Sequence, residues 1–509
     1  MPRTGTPHPR SCEASGPHLD EDPRAAIEAA RALLAGEELD VANRAALAGG
    51  ILIDAGSHVK DIAAVQQGTA LFRDLHARVA TASTAYNLAN GIHASATLSG
   101  EPYWSPAQCR MRQEARSLYS EAAADEGHRS RALTNLANLL RLSHRRLEAY
   151  DAYASALEAD PQNPIASSGI ARLLSEIADL GLGPETLHGL AARYLAQTNA
   201  NEAAIVHYAG THGVQNIREL VKQARAKPSR RRKRPPGYAG FVWEHRLALS
   251  YAMETLNPAR RFWDDLGLIS ITEPIDKGGA SVPPVFAMWN SLKADYAAGR
   301  WLAFRATEEM DETANYQDTL DYANYGVNQS VAVLAQRAAI DVLDTIAGFA
   351  SEYLGLQGDA HRVYFASRWQ TPSKQTNAAW EWQPAVAAEI SAGNPGVLTL
   401  GDLASDLTGD GYLSSHRLLR HMGTHRFVVL HDMLPHTPRP SAFIEHHRQF
   451  DFERTTVKTI QMCRAALTYA REMVLWRERR SSAEGKLRAP MYVPPHHEIR
   501  GLKSRMRKR

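Results

Sequence analysis

Cysteine is scarce in this chain. Its three residues, Cys12, Cys109 and Cys463, stand far apart with no CxxC pair, which excludes a disulfide framework and a cysteine-based zinc knuckle and points to a reducing compartment. Long apolar runs are missing as well: nothing approaches the roughly 18 residues a membrane-spanning helix needs, and the N-terminal MPRTGTPHPRSCEASGPHLDEDP has no apolar stretch of the kind a secretory signal requires. The expectation is a cytoplasmic protein without membrane contact. No G-x4-G-K-[ST] phosphate loop, no glycine fingerprint after a strand and no G-x-S-x-G elbow occurs, which argues against ATPases, dehydrogenases and hydrolases of those folds. An excess of one charge is also lacking, since 58 Lys and Arg face 55 Asp and Glu for a net charge of +3. Any affinity for polyanions therefore has to come from local clusters.

Two apparent metal motifs fail on inspection. The DLTGDG stretch at Asp406 to Gly411 begins like a calcium-binding loop but carries Arg417 where the bidentate glutamate belongs. His421 and His425 are spaced like two zinc ligands on a helix, yet Met422 stands where the zinc-protease signature needs glutamate. No metal and no cofactor are expected.

At 509 residues the chain exceeds what one hydrophobic core supports, so two or three domains are expected. Residues 1–21, rich in Pro, Gly, Ser and charge, read as a disordered leader. From 22 to 200 the sequence is rich in Ala and Leu, with apolar residues at i, i+3, i+4 spacing broken every one or two helix lengths. The best-defined unit places Leu136 and Ala137 on one helix and Ala149, Tyr153 and Ala156 on the next, with Asp160-Pro161 as the stop. An upstream unit carries Tyr86 to Gly91 on its first helix and Ala115, Tyr119 and Ala122 on its second, with an enlarged loop around Trp104-Ser105-Pro106. Fainter pairs cover 42–75 and 164–197. These spacings resemble the tetratricopeptide repeat, in which small residues sit where paired helices touch and an aromatic fills the gap to the next pair. The resemblance implies an α-solenoid whose groove holds a protein or peptide partner.

Residues 201–237 read as one more helix followed by the basic run KPSRRRKRPPG, with Arg230, Arg231, Arg232, Lys233 and Arg234 between prolines that stop a helix. Like charges side by side repel, so this is expected to be a solvated linker, and as diffuse charge it offers RNA only non-specific, salt-sensitive attraction. The tail 481–509 repeats the pattern. Between them, 238–480 is richer in aromatics and reads as a helical domain, with helices at Ala287 to Arg305, Asn328 to Leu354, His416 to Asp432 and Ile444 to Arg480. VLTL near 397 and FVVL at 427–430 alone look strand-like, and the second sits in a helical context. The fold class is all-α.

Histidine is concentrated in one place: His416, His421, His425, His431 and His436 are five of the chain's 21. Among them Arg420-His421-Met422-Gly423-Thr424-His425 places an arginine five positions before a histidine. This resembles the R-x4-6-H motif of the HEPN superfamily. The order Ser291 to Phe304, Leu334 to Leu356, this motif, then Met462 to Ala470 is similar to the LA-type branch that follows tetratricopeptide repeats. The resemblance implies a metal-independent endoribonuclease in a HEPN-like helical bundle, paired as a homodimer, held in check until triggered and serving defence or stress response in a toxin-like manner.

The residue types suit that chemistry. Cutting RNA without a metal needs a group to take the 2′-OH proton, a group to protonate the leaving 5′ oxygen, and a cation against the phosphoryl oxygens. Histidine performs either proton transfer, and arginine forks onto phosphate. The product is a 2′,3′-cyclic phosphate. Arg420 and His425 are the candidate catalytic pair, with His421 beside them where asparagine is common and Thr424 where an acid is common; Arg417 and Arg426 are candidate RNA contacts. Arg426 and His431 repeat the spacing, so the spacing alone does not choose between the pairs. On a regular helix Arg420 and His425 lie about 140° apart, which leaves a deformation at Gly423, a curled arginine, or a site composed across a dimer. The rival function is a non-catalytic scaffold or RNA-binding adaptor of the same architecture.

Overall fold

The computed structural model describes residues 22–490 apart from 37–39, 231, 257–263, 269, 275–281, 309–315, 317–318, 360, 372–379, 410, 417–425, 434–440 and 482–485. Helix dominates and the protein is all-α, with three small sheets among the described residues. It divides into two compact units, 1–139 and 140–509.

The first unit is a succession of helices, each packed on the next: α1 (Pro23–Ala35), α2 (Val41–Val59), α3 (Ile62–Arg78), α4 (Ala82–Leu98) and α5 (Pro106–Ala122), with α6 (Glu126–Leu142) running to its boundary. Local chemistry sets the starts. Asp40 and Asp61 accept hydrogen bonds from the first free amides of α2 and α3, and Ser105 caps α5 just before Pro106, whose missing N–H costs nothing at that position. Tyr119 is buried as expected of a gap-filling aromatic; its hydroxyl donates to Asn90 Oδ1 at 2.8 Å and its ring meets Tyr86 edge-on at 6.0 Å.

The second unit continues with α7 (Arg146–Ala159), α8 (Pro164–Asp179), α9 (Thr186–Asn199) and α10 (Glu202–Lys222). Ala149, Tyr153 and Ala156 of α7 are buried. Tyr153 lies against Gly169 of α8 so closely that a Cβ there would come within 2.5 Å of the ring, which is why that position has no side chain. The helical region up to residue 222 thus has the character of a repeat array. The basic run after it is exposed at Arg230, Arg232, Lys233 and Arg234 and makes local contacts. Ser229 donates its amide to the carbonyl of Gly189 at 2.8 Å, Arg232 reaches the carbonyl of Leu256 at 2.8 Å, and Arg234 pairs with Glu244 at 2.6 Å.

After α11 (Gly237–Glu244) and β1 (Ser270–Pro274) come α12 (Pro284–Ala306) and α13 (Val327–Leu354), which pack on each other and on the long α16 (Gln449–Arg480). Trp289, Phe349, Tyr296 and Tyr469 are among the large side chains fully buried there. Short α14 (Pro384–Ser391) leads to α15 (Pro395–Asp406), laid against α16 so tightly that a Cβ on Gly396 would stand 2.2 Å from the Met473 amide nitrogen. The VLTL stretch that looked strand-like is part of α15. Asn394 caps this helix, Pro395 starts it, and every residue of it is buried, a case in which an apolar run does not distinguish strand from buried helix. The calcium-like Asp406 ends α15 with its carboxylate on Arg145.

Two further expectations are corrected in the same domain. The helix expected from His416 to Asp432 contains a strand, β5 (Phe427–His431), and the helix expected from Ile444 begins only at Gln449, after strand β6 (Ile444–Arg448). The run Phe-Val-Val-Leu has high strand propensity, and here it finds two partners. β5 pairs antiparallel with β2 (Ala323–Asn324) and parallel with β6, in the order β2-β5-β6. β3 (Gln370–Thr371) pairs with β4 (Glu381–Trp382), and β1 pairs antiparallel with β7 (Lys486–Pro490). No helix of the described residues is long and apolar enough to cross a membrane.

Candidate functional site

The preferred catalytic pair Arg420 and His425, with His421 and Arg417, lies outside the described residues, as does Arg231 of the basic run. The segment that carries them ends immediately before Arg426 and β5. The structure describes the overlapping pair, Arg426 and His431, and separates it. Five positions along an extended chain span roughly 16 Å, and an odd offset puts the two side chains on opposite faces of the sheet. Arg426 and His431 therefore do not meet in one chain.

Arg426 turns to the face shared with Val428, Leu430 and Glu445, where it forms a close ion pair with Glu445. That face is the inward one: Leu430 packs with Ala306, Ala332, Ile340 and Phe452. His447 lies on the same side, its ring 5.7 Å from that of Phe452.

His431 turns to the other face and meets a second histidine. Its register partner on β6 is Arg448, and Val429 opposes His446, so His431, His446 and Arg448 share one face. His431 is 1 % exposed, His446 half-buried and Arg448 exposed. His431 Nδ1 lies 3.1 Å from the carbonyl oxygen of Asp321, and its Nε2 lies 2.8 Å from His446 Nδ1. A carbonyl can only accept, so His431 carries its proton on Nδ1 and accepts at Nε2. It follows that His446 donates from Nδ1 and keeps the lone pair of Nε2. The pair is a directed chain of hydrogen bonds ending on a basic nitrogen. Burial, then the neighbouring His431, holds His446 below the ordinary histidine value, while Asp321 and Glu445 act the other way. His446 is neutral near pH 7 and able to take a proton.

His416 is of a different kind. It is buried, with Nδ1 at 2.8 Å from Thr459 Oγ1, and burial followed by the charge of Lys458 pushes it down to about 4. Thr459 in turn receives Gln336 Nε2 at 3.1 Å. This histidine holds helices together.

Sequence reasoning missed His446 and Arg448. The signal was the doublet in Glu445-His446-His447-Arg448: read as helix it scatters round a cylinder, and only a strand's alternation places His446 and Arg448 together. Among the described residues no group of three His, Cys, Asp or Glu converges to hold a metal ion.

A second feature lies on the array helices of this unit. Arg141, Arg172, Glu176, Asp179, His188 and Arg225 line a cavity of about 460 Å³ beside α8, α9 and α10. Its mixed charges suit a polar partner more than an apolar ligand.

Residues 277–477 match the family model described as LA2681-like HEPN. The match supports a HEPN domain there. It runs from just before α12 nearly to the end of α16 and takes in Arg420, His425, His431 and His446. No curated protein matches the chain, and no solved structure does.

Proposed function

We propose that this protein is a metal-independent endoribonuclease of HEPN type, which cleaves RNA by 2′-OH attack to leave a 2′,3′-cyclic phosphate. The observation that carries the reading is the HEPN match over 277–477, because the arginine–histidine motif of Arg420 and His425 falls inside it. In this reading Arg420 forks onto the scissile phosphate and His425 transfers a proton, with His421 assisting. Arg417, Arg426 and the basic residues Arg230 to Arg234 draw RNA in by charge. Two copies pair through the HEPN domain, so that motifs from both reach one cleft. The helical array, read as tetratricopeptide repeats, is the sensor or docking module, and the polar cavity beside α8–α10 supports a protein or peptide partner. The setting is cytoplasmic, in defence or stress response.

The test is cleavage of a labelled single-stranded RNA by the purified full-length protein in EDTA, with analysis of product ends. Cyclic-phosphate ends, lost by about 10²–10⁴-fold on Arg420→Ala or His425→Ala, support the reading. Protein that binds RNA or a partner but never cuts, with the mixed-charge cavity occupied, supports the scaffold alternative and overturns it.

A further inference from the structure

His431, His446 and Arg448 share one face of the β5–β6 pair, and the function proposed above uses none of the three. His425 directly precedes Arg426, and the extended run from Arg426 to His431 covers roughly 16 Å. Within one chain Arg426 and His431 are therefore at opposite ends of this run.

We propose that this face is an RNA phosphodiester site, in which His446 is the base, His431 orients it and Arg448 holds the phosphate. The proposal takes its substrate class from the ribonuclease reading and its residues from geometry alone. Register places Arg448 beside His431 and two positions from His446 on the same side of the sheet. Strand spacing puts those Cα atoms within about 5–7 Å of one another, inside the reach of a guanidinium onto a phosphate that also touches an imidazole. The order of exposure fits a site approached from solvent: Arg448 outermost, His446 next, His431 closed off at the back.

The hydrogen-bond chain supplies what a base needs. Asp321's carbonyl fixes the tautomer of His431, whose Nε2 then accepts from His446 Nδ1. His446 Nε2 takes the proton of the 2′-OH, the 2′ oxygen forms its bond to phosphorus, the P–O5′ bond breaks, and the leaving oxygen takes a proton from water. The positive charge that develops on His446 is shared through its hydrogen bond to His431 Nε2. Arg448 neutralises the non-bridging oxygens as charge gathers on them. The titratable and charged groups near His446 are His431 from β5, Asp321 from the segment before β2, and Glu445 and His447 on its own strand. The two carboxylates moderate its acidity, while His447 belongs to the opposite face.

Two measurements on the full-length protein test this. In RNA cleavage with EDTA, His446→Ala is expected to lose about 10²–10³-fold in kcat and to flatten the acid limb of the pH–rate profile. Arg448→Ala raises KM, His431→Phe displaces the acid limb, and His447→Gln leaves both unchanged. In NMR of histidine-labelled protein, inorganic phosphate is expected to move the His446 imidazole resonances in the wild type and not in Arg448→Ala. If RNA is cut but His446→Ala keeps the wild-type rate and pH profile, this site is overturned and the Arg420–His425 reading stands. If no RNA is cut yet phosphate moves His446 in an Arg448-dependent way, the phosphate contact of Arg448 and His446 stands, while the base role of His446 falls together with the ribonuclease reading. Resonances of His446 that phosphate leaves unmoved overturn the site outright.

Discussion

Where α7 lies against α15 and α16, arginines are shut away from water among carboxylates; on the β5–β6 face, histidines and an arginine run from the interior out to solvent. Arg145 is fully buried and meets Asp402 at 3.2 Å, Glu148 through two bonds of 2.6 and 2.8 Å, Tyr412 at 3.2 Å, and Asp406. Arg146 holds Glu472 at 2.9 Å and Glu176 at 2.8 Å. Asp151 is shared by Arg464 at 2.6 Å and Arg246 at 2.9 Å. Such charges cost heavily to desolvate and are tolerated only because each has a partner; removing one partner strands the other. They fix how α7 docks on α15 and α16. The His431–His446 pair makes few commitments, one carbonyl and one imidazole contact, and ends on an unprotonated nitrogen. Density of pairing thus separates charge that builds the protein from charge that is left for chemistry.

Breaking the buried side should have the largest effect. Arg145→Met leaves Asp402 and Asp406 facing each other in a water-free site, and a loss of about 3–5 kcal/mol is expected in chemical denaturation. A loss below 1 kcal/mol would show the network to be dispensable. Next comes acid. His416 is held at about 4 when folded, against an ordinary value near 6.5. Between these values the unfolded chain binds the proton and the folded one does not, so stability is full above about pH 6.5 and falls as pH drops toward 4. The sum is roughly 3 kcal/mol for this group. His144, held at about 4 by burial and then by Arg146, adds to the same window. Denaturation midpoints from pH 7 to 4 measure the slope, and His416→Gln should flatten part of it.

Gly396→Ala tests the packing that carries the buried charges. With Met473 backbone in the way, α15 must lift from α16, at a cost of about 1–3 kcal/mol. Unchanged thermal stability would mean the two helices separate freely. Smallest of all should be the effect of His446→Ala on stability, within about 1 kcal/mol, since the residue is half-exposed and has a single strong partner. A larger loss would move His446 to the structural side of the comparison.

Much of this was legible in the residues. The apolar period located the helices of the array, and in the structure capping by Asp40, Asp61 and Ser105 sets where three of them start. The HEPN resemblance, resting on ordered segments from Ser291 to Ala470, agrees with a family match over 277–477. The failures share a cause. A strand of five residues, as at Phe427–His431, earns its stability from neighbours on both sides, and those neighbours, Ala323-Asn324 and Ile444–Arg448, lie far off in the sequence. Local propensity hinted at a strand in FVVL and equally at one in VLTL, and only burial and pairing separated the two.

The chain by itself determined that this protein is helical, where most of its helices begin, and that an arginine–histidine motif sits within a HEPN-like stretch, because capping, periodicity and residue chemistry act over a few neighbouring positions. Tertiary structure alone decided that Asp406 pairs with Arg145, that Arg426 and His431 face apart, and that His446 and Arg448 join His431. Those outcomes depend on contacts between residues 15 to more than 250 positions apart, a distance over which sequence spacing carries no geometry.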